Sequence, residues 1–108
     1  MTRDTSFHEY VLYDLLANEV GISSKPMFGG WGMYKHGVIF GIISDENLYF
    51  KVGDENRKDF ENIGSHPFVF AKKGGKKVSL SYWIVPEEIM EDREKFLELI
   101  EKSVKINR

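Results

Sequence analysis

The sequence predicts an α+β fold with a mainly antiparallel sheet, and three observations carry that prediction. Apolar residues recur at helical spacing near both ends of the chain. Between Met27 and Val52, three apolar runs follow one another with only short polar breaks, the pattern of a hairpin meander. Two further strand-like runs lie beyond a second short helical segment. The expected order is α-β3-α-β2-α with five strands. Strands grouped in hairpins between helices argue against a parallel, alternating architecture.

Taken in order, Ser6-Phe7-His8-Glu9 reads as a capping box. Phe7, Val11, Leu12, Leu15 and Leu16 form one stripe, predicting a helix from Phe7 to Val20 with Gly21 as its left-handed stop. Ser23-Ser24-Lys25-Pro26 reads as a linker, with Pro26 at the leading edge of the first strand. That strand, Met27–Tyr34, contains Gly29, Gly30 and Gly32. Each glycine weakens a strand by roughly 0.5–1 kcal/mol, so three together imply close packing over their backbone, or a bend.

His36-Gly37 turns into the second strand, Val38–Ile43, which is apolar on both faces. Asp45-Glu46-Asn47 turns into the third, Leu48–Val52, which alternates. A second helix is expected over Asp54–Ile63, stopped by Gly64. Strands over Phe68–Ala71 and Val78–Trp83 follow, joined by a lysine-rich tip. Pro86 opens a helical turn, and Asp92 caps a last helix whose stripe is Phe96, Leu97, Ile100 and Val104.

The chain has 108 residues, which predicts a single domain spanning 1–108. A hydrophobic content of 42% and an aromatic content of 14% suit a packed core. The net charge of −2 gives no overall attraction to nucleic acid or anionic lipid. There is no cysteine, which removes disulfides, thiolate metal sites and a cysteine nucleophile. The N-terminus lacks the apolar core of a signal peptide, and no run approaches a membrane span. A soluble, cytoplasmic protein is expected.

No constellation points to catalysis. His8, His36 and His66 lack metal-ligand spacing. Glu87, Glu88, Glu91 and Asp92 suit helix starts. Ser79 and Ser81 have no nucleophile elbow. Neither Gly29-Gly30-Trp31-Gly32 nor the tip at Lys72–Lys77 matches a nucleotide-binding loop. No catalytic residue, metal or cofactor is therefore expected. Trp31, Tyr34, Tyr49 and Trp83 are candidate contact residues. Lys72, Lys73, Lys76 and Lys77 are a weak candidate anion contact.

Met27-Phe28-Gly29-Gly30-Trp31-Gly32-Met33-Tyr34 resembles the M-F-G-G-x-G-x-Y signature of the TfoX/Sxy N-terminal domain family. Gly37-Val38-Ile39-Phe40, Leu48-Tyr49-Phe50-Lys51-Val52, and Ser81-Tyr82-Trp83 with Val85-Pro86 agree in order. The resemblance covers about residues 8 to 105. It implies a secretion-chaperone-like α-β3-α-β2-α fold in which Met27, Phe28, Gly29, Gly30 and Gly32 are fold determinants. It also implies kinship with regulators of natural competence that act with a transcription activator. Those regulators carry a further C-terminal helical domain, so a competence role is not carried over with the resemblance.

The expected function is a non-enzymatic regulatory or adaptor domain acting by protein contact. Its partner would be a protein, with transcription machinery or a second copy as candidates. The alternative is a small-ligand site or minor enzyme with a pocket between the sheet and the C-terminal helix, near Trp31 and Trp83. Direct nucleic-acid binding is not expected, because four phosphate contacts alone bind weakly and salt-sensitively. A gel shift at about 0.15 M salt should show no retained duplex, with or without all four tip lysines changed to Glu. Salt-sensitive retention lost in that variant would show that the tip touches phosphate.

Overall fold

The computed structural model describes residues 6–27, 29–71, 74–75 and 77–106. Phe28, Lys72, Lys73 and Lys76 lie outside the described residues, and Lys77 enters only as the first residue of its strand. The first element among the described residues is α1, Ser6–Tyr10, which runs directly into a π-helical segment, Val11–Leu15. The sheet strands are β1, Ile22–Met27; β2, Gly30–Lys35; β3, Val38–Ser44; and β4, Asn47–Lys51. Then come α2, Arg57–Asn62; β5, Pro67–Ala71; and β6, Lys77–Ile84. The chain closes with α3, Glu87–Glu91, and α4, Arg93–Ile106.

The α+β reading holds, with one correction in the sheet. Among the described residues it has six strands, each paired antiparallel to its neighbours, in the order β1-β2-β3-β4-β6-β5. The additional strand is β1, which the composition of Ser23-Ser24-Lys25-Pro26 disguises as a linker. It sits at the sheet edge, where a proline's missing N–H is tolerated. The single run expected over Met27–Tyr34 is broken because Gly29, at φ +77°, reverses the chain and pairs Met27 with Gly30.

The first helix is also shorter than its stripe suggests. Leu16 N–H donates to the Val11 carbonyl at 3.0 Å, a wide π-type closure, and Leu16 itself leaves helical geometry. Val11 and Leu16 are both buried as a result, while Val20 is 77% exposed. Gly21 does have positive φ, but it follows a turn, and its carbonyl accepts the His36 N–H at 2.8 Å. The second helix starts at Arg57, because Asp54–Asn56 form a turn rather than a helical start.

Residues opposite one another across paired strands share a sheet face. Ser24, Met33, Gly41, Phe50, Trp83 and Pro67 form one row across the sheet. This face carries the core. Phe50 meets Phe40 of β3, Phe60 of α2 and Phe96 of α4, with ring centroids 5.6, 6.4 and 5.5 Å away. Leu48, Leu99, Ile100 and Val11 fill in around them. Phe40 joins this face through a register shift in β3, which places Gly41 opposite Met33 but Ile39 opposite Tyr34.

Polar ties hold the helices to this face. The Lys51 carbonyl accepts Nδ2 of the buried Asn56 and Oγ of the buried Ser103, both at 2.9 Å. Asn56 Oδ1 also accepts the Gly53 N–H at 2.8 Å, so the exit from β4 is fixed to α4 through buried, satisfied groups. Lys35 of β2 pairs with Glu101 of α4 and with Glu19 after the π-segment. The hydrogen bond to Glu101 raises its ammonium above the usual lysine range. Lys102 joins α4 to Asp59 of α2 at 2.9 Å. Asp92 receives the Lys95 N–H at 3.2 Å, as expected for the start of the last helix.

The glycines of the opening signature serve three different needs. Gly29 supplies the turn. A Cβ on Gly30 would overlap the Ile43 carbonyl oxygen of the facing strand. A Cβ on Gly32 would lie 3.1 Å from the Met27 methyl and 3.2 Å from the Tyr34 ring, which both fold over it. Gly30→Val should therefore destabilise the domain by more than about 1 kcal/mol in denaturant melts. Gly30→Ala should also destabilise, because its first carbon meets backbone. Wild-type stability in both variants would contradict the close approach.

Candidate functional site

The second face of the sheet has no helix against it among the described residues. Its central row is Lys25, Gly32, Ile42, Tyr49 and Ile84. The face is apolar at its centre and basic at two points. Lys25 lies 5.3 Å from the Tyr34 ring centre, and Lys51 lies 5.2 Å from that of Tyr82. Tyr49 is buried beneath Phe68, edge to face at 4.8 Å. That burial, and next the Asp45 carboxylate, push the Tyr49 phenol above its usual range.

A groove of about 420 Å³ opens on this side, lined by Met27, Trp31, Ile42, Ile43, Ser44, Phe68 and Leu80. Its volume falls within the range of small-molecule sites, but its chemistry is nearly bare. Ser44 supplies the single side-chain hydroxyl, beside methionine, isoleucine, leucine, phenylalanine and tryptophan. Trp31 reaches the groove where its neighbours Gly30 and Gly32 carry no side chains. On the covered face, its ring stacks on His8 at 3.7 Å with the planes 2° apart.

The four aromatic contact candidates divide between the two faces. Tyr34 and Tyr49 lie on the open face. Trp83 pairs with Phe50 and packs against the core, and the Trp31 ring packs under α1. The pocket expected between sheet and C-terminal helix is displaced to the other side. Phe40, Phe50, Phe96, Leu99 and Ile100 fill the space beneath α4. Of the groove lining, Trp31 alone was among the aromatic contact candidates; Ile42, Ile43, Phe68 and Leu80 were not singled out. For Ile42 and Ile43 the signal was the Val38–Ile43 run, since apolar side chains on both faces of a strand leave the second face in need of cover.

Among the described residues, no three His, Asp or Glu side chains gather as a metal site, and no helix is long and apolar enough to cross a membrane. The large exposed apolar residues, Tyr10, Tyr13, Val20 and Val69, lie away from the groove lining.

The two faces predict different responses to truncation. Phe50→Ala should cost about 3–5 kcal/mol. Ile42→Thr, on the open face, keeps the β-branch and should cost less than about 1 kcal/mol. Urea melts of the two variants check this, and equal losses would contradict a one-sided core.

A family model described as the TfoX N-terminal domain matches residues 14–106. A relative named DNA transformation protein TfoX1, from Aliivibrio fischeri, is 26% identical over 86 residues. Those residues are 80% of this chain and 41% of the relative, so the chain spans less than half of that protein. The family match covers the opening glycine strand, the six-stranded sheet and α4 alike, and the chain belongs to the TfoX N-terminal domain family.

Proposed function

We propose that the chain is a non-catalytic regulatory domain that acts by protein contact through its open sheet face. The observation carrying this reading is the asymmetry of the sheet, with helices and a phenylalanine cluster on one side and a helix-free apolar groove on the other. A groove offering one hydroxyl suits docking better than bond-making. Membership of a family related to competence regulators supports a regulatory role. The name of the relative points to DNA transformation as the process served. The site of action is the cytoplasm, and the partner is a component of the transcription machinery or a second copy of the chain.

A photo-crosslinking residue placed at Ile42 or Leu80 tests this in source cells, with exposed Lys58 of α2 as the control. The expected result is a protein adduct from the two groove positions and none from Lys58. An adduct at twice the 12.5 kDa of the chain identifies a second copy as partner, and a heavier one identifies a different protein. No adduct from the groove, or equal labelling from Lys58, would contradict the reading.

A further inference from the structure

We propose that His8 is a positioning residue for the groove: its neutral ring clamps Trp31 from the covered side, and charging that ring releases α1 and lets the Gly30–Gly32 segment move.

Three contacts carry this inference. The His8 and Trp31 rings are stacked in near-parallel planes. His8 Nε2 lies 2.8 Å from Ser24 Oγ, so the ring also joins α1 to β1. Trp31 in turn contributes to the groove lining. One residue therefore touches both the N-terminal helix and the proposed contact site. Its flanking residues are glycines, so Trp31 is the one side chain the Gly30–Gly32 segment sends against α1.

His8 is only 8% exposed, and burial holds its imidazole below the ordinary histidine range, with Glu9 opposing. Glu9 of its own helix is the charged group that acts on the ring among the described residues. From β1 the ring meets Ser24 and from β2 Trp31, and neither ionises in the acid range. Lys35, with Glu19 and Glu101, lies two residues along β2 from Met33, the partner of Ser24. A cation over an indole gains attraction from the ring face. Here the loss of water around a buried charge works against that gain, and it outweighs the pull of the Glu9 carboxylate.

The sign of the pH dependence follows. A histidine held low when folded binds its proton more readily in the unfolded chain, so stability rises with pH across the gap. The contribution of His8 is present above about pH 6.5, the ordinary value, and is lost as the pH falls below it. The regulatory meaning of this clamp rests on the protein-contact reading, but its test does not.

The test uses the isolated domain, with assigned histidine side-chain NMR signals and Trp31 fluorescence read in a Trp83→Phe background. Between pH 8 and 4.5, His8 should titrate below the ordinary histidine value. Trp31 emission and the Gly30 and Gly32 amide shifts should follow with the same midpoint. His8→Gln should abolish that transition and keep Trp31 in its high-pH state. His8→Arg should give the low-pH emission at pH 7.5 while circular dichroism shows a folded chain, which also covers early acid unfolding. A His8 midpoint at or above the ordinary value, or glycine amides that ignore it, would overturn the proposal. Missing adducts at Ile42 would count against protein contact and leave this titration standing.

Discussion

The packing of Phe50 constrains everything else in the molecule. Its ring meets one phenylalanine from the sheet and one from each of two helices. Full burial of such a side chain is worth about 1.5–3 kcal/mol, and the four rings at this point lie within 1% of full burial. Gathering them requires α2 and α4 to share one face of the sheet, and Val11 and Leu16 of the N-terminal segment join the same core. The buried amide of Asn56 and hydroxyl of Ser103, both bonded to the Lys51 carbonyl, hold that arrangement one residue further along the same strand. A six-stranded sheet served by one layer of helices then has a second face to account for.

That second face is the one on which the proposed protein contact rests. It is built from Ile42, Tyr49, Ile84 and the groove residues rather than from a solvent-facing row of charges. Lys25 and Lys51 rest over tyrosines there, keeping the surface basic without interrupting its apolar centre. The glycine signature contributes on both sides. Gly30 lets β2 approach the Ile43 carbonyl, while Gly32 lets Met27 and Tyr34 close over the strand. The idea that side-chain-free positions allow close nesting describes Gly30 and Gly32, whereas Gly29 is there to turn the chain.

Much of this was legible in the residues, and the failures have physical causes. Strands with alternating or continuous apolar runs, the His36-Gly37 turn and the α4 stripe stand in the structure where their patterns place them. β1 was hidden because an edge strand held by backbone pairing needs no apolar pattern, and Ser-Ser-Lys-Pro is also what a linker looks like. The π-type closure was hidden because its apolar stripe is the one an α-helix would carry. Asp45 and Glu46 both adopt positive φ, at 50° and 61°, without a glycine to announce it. The groove was the hardest feature to foresee. It gathers residues from β1, β2, β3, β5 and β6, and their adjacency depends on β6 inserting between β4 and β5. No local pattern encodes that insertion, so Trp31 and Trp83 stood out as contact residues by size while Ile42 and Leu80 did not.

The central claim is that one face of the sheet is sealed and the other is kept for a partner. Solvent relaxation of methyl signals by a soluble gadolinium chelate measures this directly. In the isolated domain, strong relaxation is expected at the methyls of Ile42, Leu80 and Ile84, with little at Leu48, Leu99 and Ile100. Once the partner captured at the groove is added, the first group should become protected and the second should not change. Equal relaxation of both groups in the free domain, or a partner that protects neither, would contradict the account.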